Sequence, residues 1–119
     1  MPDSVCDQAV RISENQYERA KSDPFTILEA VIEDHCLTLT VSRGGGCKDH
    51  DFSLLDRNTV NYSLPPQRAI KLVLDTHNDA CKALISSEHS FDISPLQLEG
   101  QSEIVLMLEG VEEQLLYSY

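Results

Sequence analysis

From Phe25 to the end of the chain, apolar residues recur at every second position in short runs, and polar turns separate the runs. Leu37, Leu39 and Val41 alternate with Thr38, Thr40 and Ser42. A period of two puts one side chain in the core and the next in water, which is a half-buried strand; an amphipathic helix needs spacings of three and four. Phe25 to Glu33 is a second strand candidate, with Phe25, Ile27 and Val31 on one face and Glu33-Asp34-His35 as the hairpin turn behind it. His50, Phe52 and Leu54 share a third face, and Ile70, Leu72 and Leu74 a fourth. Gly44-Gly45-Gly46, Asp56-Arg57-Asn58, Pro65-Pro66 and Ser86-Ser87-Glu88 read as breaks. The last break puts one strand at Cys81–Ile85 and another at His89–Ile93. The final pair is a hairpin: Ile104, Leu106 and Leu108 lead into Gly110-Val111-Glu112, and Leu115, Tyr117 and Tyr119 leave it.

About seven to eight short strands with turns roughly every ten residues predict an all-β domain, an antiparallel β-sandwich of immunoglobulin-like architecture. The tryptophan of antibody domains is missing, so that likeness is architectural. A small barrel is the alternative. At 119 residues the chain reads as one domain, residues 1–119, large enough to bury a core unaided. Residues 1–24 form an N-terminal arm with a short helix. Ser13 suits the N-cap, Gln16 the capping-box position, and Pro24 the stop.

Nine Lys and Arg against twenty Asp and Glu give a formal charge of −11. That excess argues against nucleic acid, whose phosphates need clustered cations, and against anionic lipid heads. It suits a solvated surface or a basic partner. The longest apolar run, Ile104 to Leu108, is far short of the roughly 18 residues of a membrane span. The N-terminus as written lacks the basic and apolar regions of a signal peptide. The expectation is therefore a cytoplasmic protein or the mature form of an exported one.

Four cysteines decide between those compartments. The preferred reading is structural disulfides. Cys47 and Cys81 both sit where strands end beside polar loops, and Cys6 with Cys36 would staple the arm to the sheet. The competing reading is a zinc-like site of Cys47, His50, His77 and Cys81, since thiolate and imidazole suit tetrahedral Zn²⁺. The two exclude each other at Cys47 and Cys81. His50 also has a plainer reading as a core histidine beside Phe52 and Leu54. Asp75-x-His77-x-Asp79 fails as a calcium loop, because Ala80 and Ser86 stand where glycine and a bidentate glutamate are needed. A thiol-dependent enzyme using Cys47 or Cys81 ranks third. The GxSxG elbow, the P-loop and the dinucleotide fingerprint are absent.

The stretch from Val41 to Phe52, with Gly45-Gly46-Cys47, His50 and Phe52, resembles the Gly-Gly-Cys-x2-His-x-Phe signature of small uncharacterised bacterial exported proteins, many of them lipoproteins. His77 to Ala83 and Phe91 to Leu96 resemble its second half, so the likeness runs from about Val10 to the C-terminus. It implies a periplasmic or cell-envelope location and a β-rich fold, and no activity. Asp3-Ser4-Val5 before Cys6 is not a lipobox. The resulting expectation is a non-catalytic structural or binding domain with no cofactor; its partner is unknown, with a protein the candidate class.

Overall fold

The computed structural model describes residues 6–119. An extended arm supplies β1 (Gln8–Ala9) and β2 (Arg11–Ile12), and a six-residue helix, α1 (Glu14–Arg19), follows it. Ser13 Oγ accepts the Gln16 amide hydrogen at 3.1 Å at the start of that helix. Then come β3 (Thr26–Glu33), β4 (Cys36–Gly45), β5 (Asp51–Asn61), β6 (Gln67–Asp75) and β7 (Ala83–Asp92). A 3₁₀ turn (Ser94–Leu96), β8 (Glu103–Leu108) and β9 (Leu115–Ser118) complete the chain. The strands form two sheets, in the orders β1-β7-β4-β3 and β2-β5-β6-β8-β9. Leu37, Leu39, Val41 and Phe91 from the first sheet meet Leu54, Ile70, Leu72, Leu74, Ile104, Leu106 and Tyr117 from the second in one core. The fold is thus a two-layer β-sandwich.

The sheets are mixed, which corrects the antiparallel, immunoglobulin-like expectation. β8 runs parallel to β6, β1 to β7, and β2 to β5. Parallel neighbours need a crossover, and β7 provides it: the chain leaves β6, crosses the other sheet as β7, and returns as β8. Ser86-Ser87-Glu88 is not a turn but the middle of β7, paired with Ser42, Val41 and Thr40 of β4 in that order. Asp56-Arg57-Asn58 does not end β5 either. The strand continues through a bulge before Val60, with Asn58 at φ 63°. In β3 a bulge between Ile27 and Glu29 reverses the alternation. Ala30 and Ile32 therefore join Ile27 on the core side, and Val31 turns outward.

The β5 bulge has a buried cause. Arg68 Nε and Nη2 donate to Asp56 Oδ2 and Oδ1 at 3.0 and 2.9 Å, and both residues are buried. Arg68 Nη1 also reaches the Leu96 carbonyl, tying this pair to the 3₁₀ turn, and Asp56 Oδ1 accepts from the Asn58 amide. Breaking a buried pair leaves an uncompensated charge, costing about 3–5 kcal/mol. We expect Arg68→Met to destabilise by about that much in urea unfolding, and Asp56→Leu with Arg68→Met together to recover part of the loss. A loss below about 1 kcal/mol for the single variant would show that the pair is not holding the bulge.

The mouth of the sandwich as candidate functional site

The motif residues singled out in the sequence converge at one end of the sandwich, where β4 ends, β5 begins, β6 ends and β7 begins. Cys47 and Cys81 are joined by a disulfide, with Cα atoms 5.8 Å apart. Cys6 and Cys36 are likewise joined, at 5.6 Å, and tie the arm to the start of β4. Both pairings are the ones preferred from the sequence. They close separations of 34 and 30 residues, for which loop entropy predicts about 3–4 kcal/mol each.

A carboxylate organises the mouth. Asp79 Oδ2 accepts from the amides of Gly46, Cys47 and Lys48 at 3.0, 3.1 and 3.0 Å, and from His50 Nε2 at 2.9 Å. Asp79 Oδ1 takes the Cys81 amide at 3.0 Å. Three successive amides pointing inward make a concavity for an anion, and here the chain fills it with its own side chain. The Asp79 side chain is wholly buried. Burial pushes its pKa up, but the bonds from His50 and from the Cys81, Cys47 and Lys48 amides outweigh burial and hold it well below the usual carboxylate range. Gly45 makes the approach possible: a Cβ there would stand 2.7 Å from His50 Nε2 and 2.9 Å from Asp79 Oδ2.

The network continues inward. Arg43 Nε donates to His50 Nδ1 at 3.1 Å, which leaves Nε2 of the same ring to donate to Asp79. Arg43 Nη1 donates to Ser87 Oγ, which donates to His89 Nε2 at 2.6 Å. The guanidinium also lies over the Phe52 ring, 5.2 Å from its centre, and that ring meets His89. Burial lowers the pKa of Arg43, and burial together with the Arg43 charge lowers that of His89. Among the described residues Arg43 forms no direct ion pair; His50 relays it to Asp79. Arg43, Ser87, His89 and Asp79 were missed as site residues. Their signal is the register of β7, which puts Ser87 opposite Val41 and His89 opposite Leu39 on the core face.

The proposed zinc set is not assembled. Cys47 and Cys81 are spent on each other, and His50 is spent on Arg43 and Asp79. His77 turns elsewhere, with Nε2 2.7 Å from Asp51 Oδ2, and is half exposed. The Asp51 hydrogen bond and the nearby Asp75 raise its pKa. Left-handed backbone at His77 and Asn78 directs the loop that way. Ligating atoms of Cys47, Asp79 and Cys81 do lie within 4.8 Å of one another. Both Asp79 oxygens are already hydrogen-bonded, however, and a metal would have to dismantle the amide cradle.

No family model matches the chain, and no curated protein matches it. Solved structures do. A NigD-like immunity protein from Bacteroides caccae superposes with a TM-score of 0.68 at 11% identity, over 93% of this chain and 64% of that one. A protein of unknown function from Bacteroides vulgatus, DUF1344, superposes with a TM-score of 0.61 at 12% identity, over 94% of this chain and 55% of that one. The chain thus spans roughly three fifths of these proteins, and at such identities the likeness is one of fold.

Two outcomes are expected at this site. A carboxylate with a depressed folded pKa stabilises above its unfolded pKa of about 3.9 and loses that contribution as pH falls toward the folded value. Acid unfolding of the native protein should therefore steepen below about pH 4, and Asp79→Asn should remove part of that slope. An unchanged slope would remove Asp79 from the acid-labile set. Gly45→Ala should displace His50 and cost about 1–3 kcal/mol, seen as a lost His50–Asp79 correlation by NMR.

Proposed function

We propose that this chain is an exported, non-catalytic domain of the bacterial periplasm or cell envelope, with a structural or binding role and an immunoglobulin-like layout only in its two layers. The observation that carries this reading is the pair of disulfides, which are made and kept in oxidising compartments. The resemblance of Gly45-Gly46-Cys47, His50 and Phe52 to small exported proteins supports the same location. No helix among the described residues is long and apolar enough to cross a membrane. A thiol enzyme needs a thiolate, and among the described residues every cysteine is oxidised.

The mouth also supports a structural role. Ser87 and His89 resemble a nucleophile and base, but the Ser87 hydroxyl takes a bond from Arg43 while donating to His89. No carboxylate is hydrogen-bonded to His89 among the described residues, so the third member of a nucleophile–base–carboxylate triad is not in place. The network instead fastens the loops after β4 and β6 to the core.

Intact mass and thiol alkylation test the reading. The protein isolated from its native host without reductant should resist alkylation and weigh about 4 Da less than its reduced form. It should also fractionate with the envelope. Four alkylatable thiols, or recovery with the cytosol, would overturn the proposal.

A further inference from the structure

A sandwich has two flanks, and in this protein they are treated differently. On one flank the arm adds to both sheets in succession. β1 pairs with β7 at Phe91 and Asp92, the chain crosses at Val10, and β2 pairs with β5 at Leu55 and Asp56. Val10 plugs the gap between the layers and is only 6% exposed. One extended segment thus seals a whole flank.

The opposite flank has no such segment among the described residues, and there the two edge strands approach each other directly. Its edges, among the described residues, are β3 of one sheet, which pairs only with β4, and β9 of the other, which pairs only with β8. The core is incompletely covered there. Of eight partly buried apolar residues packed against it, Phe25, Ile27, Ala30 and Ile32 come from β3 or its start, and Val111, Leu115 and Tyr119 from β9 or its approaches. Between the edges run two adjoining clefts of about 210 and 280 Å³ that share Ile27 and Gly110. The bulge leaves Leu28 57% exposed on their rim. Glu29, Glu109 and Glu113 line the same clefts, and none of them has an ion-pair partner among the described residues.

We propose that this β3–β9 cleft binds an extended segment of another polypeptide, with an apolar residue in the slot and lysine or arginine beside it. The inference rests on the binding reading above and names its surface. Strand addition supplies main-chain hydrogen bonds to an edge, and alternate side chains fill pockets. The arm is the internal example of how such a segment seats. The three carboxylates choose the partner's charge, since opposite potentials attract and like charges repel. They also disfavour a second copy of this chain, which would bring its own acidic edge.

The probe is a synthetic peptide, Lys-Thr-Lys-Val-Lys-Val-Lys-Thr, with Glu replacing each Lys as its control, titrated into the oxidised protein. The lysine peptide should bind saturably and slow amide exchange in Thr26–Glu33 and Leu115–Ser118. Its affinity should fall at least about tenfold for the Glu control, for Glu29→Lys with Glu113→Lys, and in high salt. Leu28→Lys, at an exposed rim position, should weaken binding without changing the melting temperature. The proposal is overturned if the lysine peptide fails to bind at millimolar concentration, if protection maps away from both edges, if both peptides bind alike, or if the protein dimerises through β3. Free thiols or cytosolic location would instead defeat the exported-domain reading and leave the peptide result standing.

Discussion

Backbone amides at a sheet edge have no partner unless another strand, a side chain or water supplies one, and a two-layer sandwich has four such edges. How each edge is handled decides the rest of this structure. The arm caps β7 and β5 at once, and the Cys6–Cys36 cross-link holds its start in place. Because the arm belongs to both layers, it fixes their spacing as well as their edges, with Val10 as the spacer. The other two edges carry a bulge and carboxylates, devices that discourage indiscriminate pairing while leaving room for a partner of opposite charge.

Polar groups in the core are distributed to match. Near the 3₁₀ turn, Arg68 and Asp56 satisfy each other directly. At the mouth, Arg43 reaches Asp79 only through the His50 ring. The two arrangements solve the same problem, a guanidinium facing inward, at different depths. The deeper one is a bidentate pair; the shallower one spreads its compensation over an imidazole, a hydroxyl and an aromatic face.

The period of two in Leu37–Leu39–Val41 and in Ile70–Leu72–Leu74 was enough to place those strands and the core they line, because burial on one face leaves register little freedom. The Cys47–Cys81 pairing was legible because both residues stood where strands end beside polar loops, and Cys6–Cys36 because a cross-link there staples the arm to the sheet. What escaped was wherever a local polar signal competed with tertiary pairing. Ser86-Ser87-Glu88 has turn composition, yet β4 supplies a full partner strand and the segment stays extended. Asp56 looks like loop chemistry until Arg68, twelve residues away, is known to meet it. Val31 was placed on the wrong face because a bulge at Leu28 shifts the count by one, and no residue there announces it. The four residues of the zinc reading are not brought together: Cys47 and Cys81 bond each other, and His77, with positive φ there and at Asn78, turns its ring toward Asp51.

The Asp79 cradle has one more consequence. It holds Gly46, Cys47 and Lys48 on one side and Cys81 on the other through hydrogen bonds alone, none of which involves sulfur. Hydrogen bonds to one carboxylate therefore hold the Cys47 and Cys81 backbones close together independently of the sulfur–sulfur bond. The cross-link and the carboxylate thus brace the same two loops twice, once through sulfur and once through backbone amides.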